Sequence, residues 1–130
     1  MTDPRPTPEP AATDDAIALT RLAAEAIAEK KGLEPIAMDV AELLQITEVF
    51  LVASGTSRRQ VQTLADEVKE RLRDDAELRP LRVEGAEEGE WVLLDFGPLV
   101  VHLFQPDQRS FYDLERLWAD APRIDVSDVA

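Results

Sequence analysis

Apolar residues recur along this chain in two rhythms, one near 3.6 residues and one of two, and the changes between them mark its elements. From Asp14 to Lys31, Ile17, Leu22, Ala23, Ala26 and Ile27 line one stripe and predict a helix. Asp14 and Asp15 suit its positive N-terminal end, and Gly32 stops it. Ile36 to Val40 and Val49 to Ser54 read as strands, and the continuous apolar run FLVAS fits a strand covered on both faces. Ser57 to about Arg73 is the clearest helix: Val61, Leu64, Ala65, Val68 and Leu72 fall on one side, and Ser57 with Gln60 fits a capping box. Three short strands follow, Leu81 to Glu84, Trp91 to Phe96 and Leu99 to Gln105, separated by Gly85 and Gly89 and then by Gly97-Pro98. Pro98 is tolerable at the first residue of a strand. Asp107 to Ala119 reads as one last helix with Phe111, Leu114 and Trp118 on its apolar side. The sum is an α/β sandwich, a mixed sheet of about five strands flanked by helices.

The strand WVLLDF separates fold from surface. Val92, Leu94 and Phe96 share one wholly apolar face and belong to the core; Trp91, Leu93 and Asp95 share the other. A face that mixes Trp with a carboxylate suits a protein interface, whose hot spots favour Trp beside polar groups. It equally suits a small second core capped by Trp91, with Asp95 paired to a neighbour. The acidic run AEEGE before Trp91 reads as a negative rim or a solvated loop.

The ends lack such patterning. Residues 1–13, with Pro4, Pro6, Pro8 and Pro10 among Thr, Glu and Ala, read as an extended or disordered tail. Residues 121–130 read as a second tail, leaving 14–120 as one domain. The first residues carry no apolar core of a secretory signal, and no stretch approaches the roughly 20 apolar residues of a membrane helix. These features point to the cytoplasm, with which the absence of cysteine is compatible. That absence also excludes thiol nucleophiles and Cys-ligated metal sites. With 27 acidic against 14 basic residues the net charge is −13, which repels nucleic-acid phosphates and argues against RNA or DNA binding as the main activity; it reads first as a solubilising acidic surface and is compatible with a basic protein partner, whose encounter it would speed.

Candidate chemistry is sparse. His102, the one histidine, would need a partner and a pocket to act as a base, or further ligands to hold a metal, and neither spacing is present. It reads better as a hydrogen-bonded structural residue. Tyr112 and Glu115, three apart on the last helix, share one side, where they contact a partner together or form a solvated face. SGTS, Ser54 to Ser57, lies between strand and helix, where backbone N–H groups can bind phosphate. It faintly resembles the Gly-Ser turn of nucleotidyltransferases. Glu84 and Asp95, however, stand on separate strands and do not supply the acidic pair such enzymes need for two metal ions. A helix-capping turn accounts for SGTS better.

The alternating strand from Trp91 to Asp95, the VVH strand and the YDLERLW helix, in this order and spacing, together resemble the bacterial ribosomal silencing factor family, also called the Iojap family. The likeness extends back through MDVAELLQITEVFLVASGTSRRQVQTLADEV and covers about Asp15 to Asp120. It implies a nucleotidyltransferase-like fold without the catalytic residues, no cofactor and no enzymatic activity. It also implies binding to the large ribosomal subunit through ribosomal protein L fourteen, blocking the small subunit from joining and repressing translation when nutrients are scarce. The resemblance carries partner contact first to Trp91 and Asp95, then to Tyr112 and Glu115, and lastly to Leu93, His102 and Arg109. It also allows a homodimer. Glu48 stands where the family more often has Asp, and Pro98 where a small acidic residue is common, so local strand geometry is open to change there. The alternative is a degenerate nucleotidyltransferase-like protein that still binds a nucleotide at SGTS.

Overall fold

Helix α3 (Arg58–Ala76) buries Val61, Leu64, Ala65, Val68 and Leu72, the five positions its periodicity singles out. The structure, a computed structural model, describes residues 11–127. The alternating prolines and residues 128–130, with the tail readings placed on them, lie outside the described residues. Helix α1 (Asp14–Glu29) is capped by the Thr13 side chain and buries Ala16, Thr20, Ala23, Ala24, Ala26 and Ile27; Ile17 and Leu22 are only partly covered. These small residues let α1 lie close to α3, and Arg71 ties the pair across the surface to Glu25 and Glu29.

The two helices cover one face of a sheet whose strands are β1 (Leu33–Asp39), β2 (Val49–Ser54), β3 (Arg82–Glu84), β4 (Trp91–Asp95), β5 (Leu99–Phe104) and β6 (Arg123–Ile124). Their order is β3-β4-β5-β2-β1-β6, with β2 and β5 parallel and every other pair antiparallel. The sheet is therefore mixed and has six strands rather than about five. Central β2 and β5 are almost wholly buried, as strands covered on both faces must be. A one-turn helix, α2 (Ala41–Leu44), links β1 to β2.

Both ends of the domain reach further than patterning suggests. Ala12 is buried, its N–H donates to Asp39 Oδ2, and the Thr13 N–H donates to Glu48 Oε1. At the other end, Ala121 and Val126 are buried and β6 pairs with Ala37 and Met38 of β1. The reading of a tail from residue 121 is thus corrected for residues 121–127. Two residues of strand are too short to show a period, and their burial comes from the β1 edge they cover.

The last helix is also corrected. It is two helices, α4 (Pro106–Tyr112) and α5 (Leu114–Leu117), broken at Asp113, which adopts the left-handed conformation with φ 49°. Asp is among the few residues that enter that region readily. Its N–H donates to the Arg109 carbonyl and closes α4. The break turns Phe111 outward, 80 % exposed instead of packed in the core, while Leu114 is buried and Trp118 partly so.

Candidate functional site

The face of the sheet away from α1 and α3 is built by strand register. Asp95 faces Val100 and Val100 pairs with Phe50; Leu93 faces His102, which pairs with Val52; Trp91 faces Phe104. Leu114, Ala121 and Trp118 pack with Met38, Val40, Val52, Phe50 and Phe104 in a second apolar cluster. On β4 the alternation expected from the sequence is present: Val92 and Leu94 are buried, and Trp91, Leu93 and Asp95 are half-buried. Trp91 belongs to the edge of the second cluster and still reaches the surface.

Around Trp91 the rings form a continuous run. Tyr112 lies 4.4 Å from Trp91 between centroids, and Phe111 stands edge-on to Tyr112 at 5.0 Å. Trp91 stacks on Phe104 at 5.0 Å; His102 meets Phe50 edge-on at 4.7 Å, and Phe50 meets Trp118 in turn. Offset and edge-on aromatic pairs of this kind each add about 0.5–1.5 kcal/mol beyond their buried area. The outer end of the run is open, with Tyr112 43 % exposed.

His102 is 4 % exposed, and its Nδ1 accepts the Trp91 indole N–H at 3.1 Å. An accepting Nδ1 places the proton of the neutral ring on Nε2. That atom is buried without a hydrogen-bond partner among the described residues. A buried N–H left in this way costs about 1–3 kcal/mol. Burial also lowers the imidazole pKa from 6.5 to about 4, so the ring is neutral at pH 7.

Arg109 fastens the broken helix to the sheet. It is 9 % exposed, and its guanidinium donates to Ser54 Oγ, to the carbonyls of Leu33 and Glu34, and to Glu115 Oε2 at 3.0 Å. The β1 bulge, with Glu34 at φ 48°, presents those two carbonyls. Tyr112 and Glu115 therefore do not act as one pair: Tyr112 turns to Trp91, and Glu115 is committed to Arg109 across the break.

The strand bearing Trp91 is anchored from behind. Arg58 and Gln62 of α3 donate to the carbonyls of Glu87 and Ala86, and Gln105 donates to that of Gly89. Gly85, at φ 78°, leaves no room for a side chain, since a Cβ there would lie 2.1 Å from the Trp91 carbonyl oxygen. Glu84, Glu87, Glu88 and Glu90 of the same region are exposed. Asp95 holds the β4–β5 turn by accepting the Gly97 N–H at 2.8 Å, and stands 3.9 Å from Arg82.

At SGTS the turn is occupied by its own bonds. Gly55 N–H donates to the Phe104 carbonyl, Thr56 N–H to Gln60 Oε1, and the Ser57 hydroxyl accepts Gln60 N–H. The Gln60 side chain thus caps through Thr56 rather than through Ser57. Among the described residues no three of His, Cys, Asp or Glu converge as metal ligands would, and no helix is long and apolar enough to cross a membrane.

Of the seven residues singled out from the sequence, Trp91, Leu93, Asp95, Tyr112 and Glu115 retain some exposed surface, and His102 and Arg109 lie beneath them. Sequence reasoning did not foresee that Asp113 places Tyr112 or that Ser54, named only within SGTS, holds Arg109, and local spacing carries no sign of either. Phe111 was misread as core.

Fold and face define a small α/β domain that presents a partly covered aromatic surface. The model of the family described as "Ribosomal silencing factor during starvation" matches residues 13–130, and the chain belongs to that family. It is 38 % identical over 111 residues to the ribosomal silencing factor RsfS of Halalkalibacterium halodurans, covering 85 % of this chain and 94 % of that one. It is 41 % identical over 100 residues to the RsfS of Chromobacterium violaceum, covering 77 % and 81 %. A crystal structure of a Chromobacterium violaceum protein superposes with a TM-score of 0.77 at 39 % identity, covering 80 % of this chain and 86 % of the other.

Proposed function

We propose that this chain binds the large ribosomal subunit through ribosomal protein L fourteen, keeps the small subunit from joining, and so lowers translation when nutrients are limiting. The observation that carries this reading is the open aromatic surface of Trp91 and Tyr112 in a chain of the ribosomal silencing factor family. Trp91, Leu93, Asp95 and Tyr112 are the proposed contacts; Glu115, with one carboxylate oxygen on Arg109 and the other buried, is a lesser one. The exposed Glu84, Glu87, Glu88 and Glu90 form a negative rim that speeds encounter with a basic partner. The mechanism is occlusion of a surface in the cytoplasm: no bond is made or broken, and no cofactor is needed.

Sedimentation of separated ribosomal subunits with the protein tests this. It is expected to travel with the large subunit and to reduce the yield of joined ribosomes. Normal joining at saturating protein overturns the proposal. The nucleotide-binding alternative has little support at SGTS, where Gly55 and Thr56 N–H groups are already committed. Calorimetric titration with ATP and CTP in magnesium separates the two, and micromolar binding would favour the alternative. A homodimer through the Trp91 face would compete with the ribosome for the same surface; light scattering on Trp91→Ala tests it, since such a dimer must then dissociate.

A further inference from the structure

We infer that His102 is a positioning residue for partner binding: it never meets the partner, and instead selects the orientation in which Trp91 presents its indole. The inference rests on the reading of the Trp91 face as the ribosome-binding surface.

The surroundings of His102 do not call for a histidine. In register it lies between Leu93 and Val52, with the rings of Phe50, Phe104 and Trp91 around it. A leucine would fill this space without burying an unpaired ring N–H. The one polar service the imidazole performs is to accept the Trp91 indole N–H.

Stacking alone does not perform that service. Trp91 lies against Phe104 at an interplanar angle of 29° and against Tyr112 at 46°. Stacking acts on the flat surface of the indole and not on its polar edge, and the outer torsion of a Trp has two broad wells, so ring contact alone does not fix which edge faces inward. The two states put the N–H edge and the six-membered ring on opposite sides of the Cβ–Cγ axis, and only one brings the N–H to Nδ1. His102 therefore holds the indole in the pose that donates to it, removing part of the ordering cost of binding.

The test pairs a binding measurement with a signal from the free protein. In the wild type, the Trp91 indole N–H (assigned with Trp91→Phe) is expected to exchange slowly with solvent by NMR. In His102→Leu it exchanges faster, and binding to purified large subunits weakens about tenfold or more, while resistance to urea does not fall. His102→Asn carries Oδ1 where the imidazole carries Nδ1, and is expected to restore slow exchange and most of the binding. Parity between His102→Leu and wild type in binding overturns this inference alone. So does a loss of binding that tracks a loss of stability, or a fully exposed exchange rate in the folded wild type. A wild type that fails to bind large subunits overturns the reading of the face, and this inference with it.

Discussion

The two faces of the sheet are made by the same strands and yet are finished differently. Toward α1 and α3, Leu51, Leu94, Leu99, Val101 and Leu103 meet Ala23, Ile27, Leu64 and Val68 in a closed aliphatic layer with each of these residues fully buried. On the opposite side the layer is aromatic, a broken helix covers part of it, and β4 remains open at Trp91, Leu93 and Asp95. Neighbouring residues of one strand thus serve two ends. The aliphatic layer holds the fold, and having secured it frees the second face to spend aromatic and polar groups on presentation. A binding surface built on strands keeps its geometry better than one built on loops.

Adjacent leucines give the sharpest way to break this comparison. Leu94→Ala removes a fully buried side chain of the closed layer and is expected to cost about 2–5 kcal/mol of folding stability in urea unfolding. The protein that remains folded should bind large subunits as before. Leu93→Ala, one residue away and half-buried on the open face, is expected to cost about 1 kcal/mol or less while weakening binding. Equal stability losses at the two positions would show that both faces are core.

Arg109→Ala is expected to be next in size. It strips four acceptors of a donor and leaves the Glu115 carboxylate half-buried without its partner, at a cost of about 3 kcal/mol. The effect should fall on the corner at Asp113, so Tyr112 loses its place on Trp91 and binding falls as well. A variant that retains full stability would show that the helix break is held by something else. Trp91→Ala follows, with an expected loss of about 2 kcal/mol or more in binding to large subunits. Unchanged affinity would remove Trp91 from the contact surface.

How far the sequence discloses this division depends on the length of each pattern. The stripe of α3 runs from Val61 to Leu72, about three turns, and the β4 alternation repeats over a whole strand, so single exceptions cannot mislead either. The last helix shows the opposite case. Phe111, Leu114 and Trp118 keep helical spacing across Asp113, and spacing does not register one residue that turns left-handed. The same break parts Tyr112 from Glu115, whose pairing follows only from an unbroken helix. β6 escaped notice because two residues carry no period. The candidate site was legible residue by residue but not as a layout. That Trp91 meets His102, and that Arg109 lies under the corner, follow from strand register and from a bulge in β1, neither of which local spacing encodes.

A last expected effect is one of pH, and it isolates the open face because the aliphatic contacts of the closed layer do not titrate. Burial lowers the His102 pKa from 6.5 to about 4. Between those values the unfolded chain takes up a proton that the folded chain refuses, so acidification favours unfolding. The stability at stake is intact above pH 6.5 and is lost progressively as the pH falls toward 4. At pH 5 the loss should be about 1–2 kcal/mol. Carboxylates titrate over part of the same range, but they do so equally in His102→Leu. The difference between wild type and that variant, from urea unfolding at pH 7.5 and at pH 5, therefore reports the imidazole alone. Wild type should lose more stability on acidification than His102→Leu does. Identical losses would mean that the imidazole is free to protonate in the folded chain, which requires Nδ1 to give up the Trp91 N–H and the aromatic face to open at its centre.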